Sequence, residues 1–297
     1  MCNSTKLSAM NAIVLIGATG NIGRASLAAF RQAGFSGSLR AASRRPDRAA
    51  QQLPQPNLEW RFFDFSQPDS FAPLLEGARA LFFIAPQAEP VPAARRLIEV
   101  AAEQGLQRLV YSSGRTTGDV PGRPMHTIER AVRACALDWT ILRPGWFMQN
   151  FTGWLAPPIL QRGAIQLPAG QAKTAFVDVR DIGQVVARML TEAGHAGQTY
   201  ELTGPEAFGH DEVAKCISRA SGKAVHYEAV GEEAFRRLAG DWGWSDADIE
   251  DALSLFRLVR KGKEANPSPD VERLLGRPPR SLAAFCREYG GFWRTAT

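Results

Sequence analysis

From Ile13 to Pro144 short apolar runs alternate with stretches of helical periodicity. That alternation leaves few folds open. Strands separated by helix-length crossovers pair in parallel, with helices packed on both faces of the sheet. The crossovers are expected to be right-handed. AIVLIG reads as the first strand, and ASLAAFRQAG as a helix closed by Gly34. SLRAAS, LEWRFFDF, ALFFIAP, RLVYSS and WTILRP are further strands, and DRAAQQL, SFAPLLEG, PAARRLIEVAAEQG and HTIERAVRACA the helices between them. The fold class is α/β, a Rossmann-type doubly wound sheet.

After Pro144 the pattern loosens. GWFMQNFTGWLAPPILQRGA is aromatic and rich in proline. TAFVDV and TYELTGP read as strands, the latter preceded by the helix RDIGQVVARMLTEAG. HDEVAKCISRASG, GEEAFRRLAG and SDADIEDALSLFRLVRKG read as helices, and a strand opens after Lys223. We expect a nucleotide-binding domain over 11–155, to which strands from about 174–203 return. A smaller mixed α/β substrate lobe is expected over 156–297.

Gly17, Gly20 and Gly23 follow the first strand and open the first helix. Such a turn needs one glycine for its tight bend, one for close approach to a phosphate and one for helix packing. The free N–H groups and positive dipole end of the helix then suit a pyrophosphate. The spacing is G-x-x-G-x-x-G. Thr19 and Asn21 are expected to add side-chain contacts, with Ile22 packed under the loop. An acid that binds the NAD ribose is expected about 20 residues beyond the glycines. Here that point holds Ser43, Arg44 and Arg45. A guanidinium pairs with a 2′-phosphate where a carboxylate would repel it. The expected cofactor is therefore NADP(H), with Arg44 as the reader and Arg45 facing away. Asp64 and Phe65 end the third strand, where the acid would accept the adenine amino group. Ala85 and Pro86 end the fourth, where small residues let a cofactor lie flat.

Composition narrows the remaining classes. No apolar run reaches the length of a membrane span, and the start of the chain has no signal-peptide core, so a cytoplasmic protein is expected. The four cysteines are far apart, without metal or redox spacing. The net charge is +5, yet the basic residues are scattered among acids rather than striped, which argues against nucleic acid. A small-molecule substrate and a monomer or homodimer are the expectation.

GATGNIG, ASRRP, FDF, FFIAP, ILRPGWFMQNF, FVDVRDIG, TYELTGPEAF and LLGRPPRSLAAF together resemble the NmrA-like branch of the atypical short-chain dehydrogenases/reductases. The resemblance runs from about Ile13 to Phe285. Its layout is similar to the fungal ergot-alkaloid enzymes that reduce a cyclic iminium, and to NADPH-dependent quinone reductases and azoreductases. Other members are redox sensors that bind NADP without turnover. In the wider superfamily a Tyr-x-x-x-Lys pair moves the proton. The resemblance would place that Tyr near Pro121 and the Lys near Met125, and neither is present. None of the tyrosines, Tyr111, Tyr200, Tyr227 and Tyr289, has a Lys four residues on.

His126, beside the vacated Lys position, is a candidate proton donor. Against that role, a helix N-terminus depresses an imidazole pKa. Ser112 and Ser113 end the fifth strand and are candidates to orient substrate or ribose. An acceptor that needs no strong acid fits the gap: an imine or iminium, a quinone or an azo compound. Trp146, Phe147, Met148, Phe151 and Trp154 are expected to supply the pocket wall, Gln149 and Asn150 its polar contacts, and Trp242 and Trp244 a contribution from the late helices. About half of these are expected to line the pocket and the rest to be core. The expected function is an NADPH-dependent reductase of a flat, apolar acceptor. A cofactor sensor without turnover and a redox-neutral isomerase or cyclase that retains NADP(H) remain open.

Overall fold

A computed structural model describes residues 11–85, 91–118 and 120–294. The described residues form two compact units, one of those up to Pro144 with Val179–Glu201, the other of Gly145–Asp178 with those from Leu202 onward.

The first unit carries a seven-stranded sheet in the order β3-β2-β1-β4-β5-β6-β8. Its strands are β1 (Ala12–Leu15), β2 (Leu39–Ser43), β3 (Leu58–Phe62), β4 (Ala78–Ile84), β5 (Arg108–Ser112), β6 (Asp138–Pro144) and β8 (Gln198–Leu202). β1 to β6 pair in parallel. Every residue of β1 is buried, as a central parallel strand covered on both faces requires. The strand order reverses between β1 and β4. Chain ends there diverge and leave a crevice at the carboxyl edge.

Helices α1 (Asn21–Gln32), α2 (Pro46–Gln52), α3 (Phe71–Leu75), α4 (Val91–Glu103), α5 (Pro124–Ala134) and α7 (Val179–Thr191) cover this sheet. α1 and α7 pack at very short range. A Cβ on Gly183 would lie 2.4 Å from the Ala25 carbonyl carbon, so the two backbones meet with nothing between them. β3 is shorter than LEWRFFDF suggests. The chain leaves the edge of the sheet after Phe63, whose N–H still donates to Ser43 O at 3.1 Å and whose ring enters a cluster with Phe65 and Phe71 at 4.9 and 5.2 Å.

The second unit holds a two-stranded parallel sheet of β7 (Ala164–Leu167) and β9 (His226–Ala229). Around it lie α6 (Ala156–Arg162), α8 (His210–Ser221), α9 (Glu232–Asp241), α10 (Asp246–Arg260), α11 (Asp270–Leu275) and α12 (Leu282–Arg294). Two expectations are corrected here. Residues 145–155, placed by sequence in the first domain, belong to this unit, because Met148, Phe151 and Leu155 enter its core. TAFVDV is not a strand. Its N–H groups go to three separate segments: Thr174 to Phe208 O, Ala175 to Glu264 O and Val177 to Trp146 O. Among the described residues no helix is long and apolar enough to cross a membrane.

His210, at the first position of α8, is buried among Tyr227, Phe176 and Phe151, with ring separations of 5.3, 5.5 and 6.4 Å. Burial lowers its pKa from 6.5 to about 4, against a small opposing pull from Asp211. Below pH 6.5 the unfolded chain takes up a proton that the folded chain refuses, so stability falls with acid until about pH 4. The contribution is about 1.4 kcal/mol per pH unit across that window. Denaturant unfolding over this range is expected to show the slope, and His210→Phe, which keeps a ring without the titration, to flatten it. An identical slope in both proteins would exclude this origin.

Candidate functional site

The glycine turn sits at the carboxyl end of β1, where the strand order reverses. Gly17 has φ +87°, a left-handed conformation that disfavours any side chain. A Cβ on Gly23 would stand 2.3 Å from Gly17 O and 2.4 Å from Ala18 Cα, so the helix reaches the turn only if residue 23 has none. Gly20 is less constrained, since its Cβ would meet Gly17 O at 3.4 Å. These contacts place the amino end of α1 directly behind the loop. The first hydrogen bond across that end runs from Arg24 N to Gly20 O, and Gly20 offers no side-chain cap. The N–H groups of Asn21, Ile22 and Gly23 therefore precede the helical ladder, with the positive end of the dipole.

A cleft of about 820 Å³ lies along this edge, lined among others by Gly17, Thr19, Ser43, Arg44, Asp64 and Phe65. Arg45 also lines it, together with Arg48, which corrects the expectation that Arg45 faces away. The local reason is a turn. Ser43 Oγ accepts from Arg45 N at 3.0 Å, and Pro46 begins α2 immediately after. Arg44 and Arg45 thus flank the start of α2, and Arg48 lies one turn further on the same face. All three are exposed. Asp64 Oδ1 accepts from Ser66 N and Ser66 Oγ at 2.9 and 2.8 Å. Those two bonds, with the charge of Arg44, hold its carboxyl below the usual range. Phe65 turns its ring into the core beside Phe63. Ile22, Gly23 and Ala85 are buried around the turn and Asn21 is exposed. Pro86 lies outside the described residues.

The carboxyl end of β5 carries Ser112 and Ser113, both buried. The Ser113 hydroxyl faces Tyr111 and Glu129, yet makes no hydrogen bond of ordinary geometry among the described residues. Burial, with Glu129 nearby, drives the Tyr111 phenol well above its ordinary range, so it is a poor acid. Glu129 is buried and resists protonation. Desolvation would raise its pKa, but Arg143 overcomes this with bonds of 2.9 and 2.7 Å. His126 Nδ1 is 2.8 Å from Gly118 O, and Met125 Sδ is 2.9 Å from Thr117 Oγ1. The residue at the vacated Lys position is thus tied into the 114–118 turn.

The second unit has its own cavity of about 340 Å³, lined by Trp146, Trp154, Trp244, Phe256, Asp248 and Asp251 among others. Of the residues expected in a pocket wall, Trp146 and Trp154 line it, and Trp244 joins them. Trp242 stands behind, 6.1 Å from both Trp154 and Trp244. Met148 and Phe151 are instead core; Trp293 Nε1 bonds Phe151 O at 3.1 Å. Phe147 lies in a β-bridge with Val177. Gln149 Nε2 donates to Asp178 Oδ1 at 2.9 Å, and Asn150 is half-buried. Sequence reasoning missed Asp248 and Asp251. Their spacing with Ala252 and Leu255 puts one face of α10 on the cavity, and the sequence pattern of an amphipathic helix does not single out the acids on it.

The turn generates a direct test. Gly23→Ala is expected to weaken dinucleotide binding at least tenfold, because the new methyl must push α1 off the turn. Gly20→Ala should cost less than about 1 kcal/mol. Isothermal titration of both variants with NADPH checks the order, and the reverse order would displace the turn from the site.

The NmrA-like family profile matches residues 9–283. The NAD(P)H azoreductase of Xenophilus azovorans is 28% identical over 291 residues, covering 96% of this chain and 100% of that protein. Quinone oxidoreductase 2 of Escherichia coli is 27% identical, covering 91% and 96%. Among solved structures, an NADPH-dependent quinone oxidoreductase of Escherichia coli complexed with NADPH superposes with TM-score 0.82 at 26% identity, over 93% of this chain and 99% of that one. With a glycine turn of this geometry at the switch point of its sheet, the chain belongs to the NmrA-like family.

Proposed function

We propose that this protein is an NADPH-dependent oxidoreductase that passes a hydride to a flat, unsaturated small molecule of the imine or iminium, quinone or azo type. The observation that carries the reading is the pairing of two anion-directed features on one cleft. The amino end of α1 suits the pyrophosphate, and Arg44, Arg45 and Arg48 at the end of β2 suit a 2′-phosphate. The similarity to an azoreductase and to quinone oxidoreductases supports the same reaction class. Ser113, at the carboxyl end of β5, fits the polar edge of a bound nicotinamide or its ribose. When bound, the reduced nicotinamide supplies the hydride.

The choice of acceptor follows from what the chain's own groups can do with a proton. Tyr111 is held protonated by its surroundings, Glu129 is held ionised by Arg143, and His126 Nδ1 is engaged with Gly118 O. Neither Tyr111 nor Glu129 is a poised acid. Hydride addition to an iminium needs no proton in that step. A quinone or azo acceptor delocalises the developing charge and takes its proton from water. In this reading Ser112 and Ser113 position the reactants.

Two measurements test this. Incubation with NADPH and a panel of quinones, azo dyes and cyclic iminium salts is expected to consume NADPH only when an acceptor is present. Cofactor binding with no consumption across the panel would favour a sensor, and product formed without net loss a redox-neutral enzyme. Arg44→Ala is expected to weaken NADPH binding by about 1–3 kcal/mol and leave NADH nearly unaffected, through loss of a charge-assisted pair. An equal loss for both cofactors would remove Arg44 from the 2′-phosphate.

A further inference from the structure

Cys216 and Cys286 are far apart in the chain and lack the spacing of a redox motif. The second unit brings them together. Cys216 stands on α8 and Cys286 on α12, and these helices pack backbone against backbone. A Cβ on Gly290 would lie 2.5 Å from Ala220 O. Ala220 and Gly290 each lie about one turn beyond a cysteine of the pair, so the close approach that a disulfide between helices needs is already made beside them. On the cysteines' own turn, the Cys216 S–H points at Leu282 O from 3.9 Å. In α12 that carbonyl begins the turn that ends at Cys286. The two thiols adjoin, and both are free. From this juxtaposition we propose that Cys216 and Cys286 are a redox-active pair, a site of reversible disulfide formation between α8 and α12 with a hydroperoxide as the oxidant.

The two sulfurs differ as the members of such a pair must. Cys216 is half-buried, within reach of a small oxidant, while Cys286 is buried behind it. The adjoining Cys286 thiol brings the Cys216 pKa down to about 7, against the opposing pull of burial and with help from the charges of Arg219 and Arg287. Cys216 and burial together hold Cys286 protonated. Near neutral pH Cys216 is therefore substantially the thiolate, the form that attacks. Cys135 supplies an internal contrast. It is also half-buried, but burial raises its pKa.

The chemistry has two steps. The Cys216 thiolate attacks the O–O bond of the hydroperoxide, which leaves a sulfenic acid on Cys216 and releases water or an alcohol once protonated. The Cys286 sulfur then attacks the Cys216 sulfur. The S–S bond forms, the S–O bond breaks, and the departing hydroxide leaves as water with the Cys286 proton. Two electrons pass from the thiol pair to the peroxide. A small thiol reverses the step by exchange, becoming a disulfide itself. The proposal concerns the second unit alone and is independent of the reductase reading.

The test reads thiols and not NADPH. The full chain carrying Cys2→Ser is treated with hydrogen peroxide near neutral pH, blocked with an alkylating reagent and digested without reductant. The expected product is a peptide pair joined through Cys216 and Cys286. It should disappear on addition of dithiothreitol and form about tenfold faster than Cys135 is oxidised. Cys286→Ser is expected to stop at the sulfenic acid of Cys216, trapped with dimedone, and Cys216→Ser to leave Cys286 unoxidised. In urea, where the helices no longer hold the pair together, links to Cys135 should form as readily as the link between Cys216 and Cys286. Oxidation of Cys135 as fast as Cys216 in the folded protein overturns the proposal. So does oxidation of Cys216 to the sulfinic acid with Cys286 still free, or a folded protein whose links include Cys135 as often as the pair.

Discussion

The amino end of α1 is a helix terminus without a side-chain cap. Its N–H groups need acceptors and its dipole favours an anion, so the fold presents an electrostatic demand that a bound anion can meet. Everything near it serves to keep that demand exposed. The left-handed Gly17 turns the chain out of the sheet, and the missing Cβ of Gly23 lets the helix sit against the turn. The close packing of α1 on α7 through Gly183 fixes the helix axis. A parallel sheet with its order reversed between β1 and β4 provides the crevice in which an anion can lie. The site is therefore a property of the topology, and the glycines are the concession the side chains make to it.

The periodic half of the chain was legible for a physical reason. β1, β2 and β4 to β6 are largely buried, so the core demands continuous apolar runs from them, and those runs survive in the sequence. Less legible is any segment whose backbone bonds are non-local. TAFVDV has the composition of a strand, but Thr174, Ala175 and Val177 each bond a different partner segment, and nothing in its own residues says so. The allegiance of 145–155 was hidden in the same way. Its aromatics announce burial but not against what, and Met148 and Phe151 proved to be core where Trp146 and Trp154 face a cavity.

Charge was readable where it was local and unreadable where it was tertiary. Ser43, Arg44 and Arg45 stand where a ribose-binding acid is expected, so their sign alone pointed to a 2′-phosphate. That Arg45 and Arg48 share the cleft depends on the Ser43 turn and the start of α2, a geometry that a residue count cannot provide. The place of Asp248 and Asp251 on a cavity was invisible because acids on an amphipathic helix are ordinary. Only the tryptophans brought to that face from 146, 154 and 244 distinguish them.

The two cavities described differ in sign. The cleft of the first unit is rimmed by arginines and a helix amino end, and the cavity of the second is lined by aspartates and tryptophans. Such a division discriminates by repulsion as well as attraction. An anion is favoured beside Arg44, Arg45 and Arg48 and disfavoured beside Asp248 and Asp251, so the charge of a ligand by itself separates the two cavities.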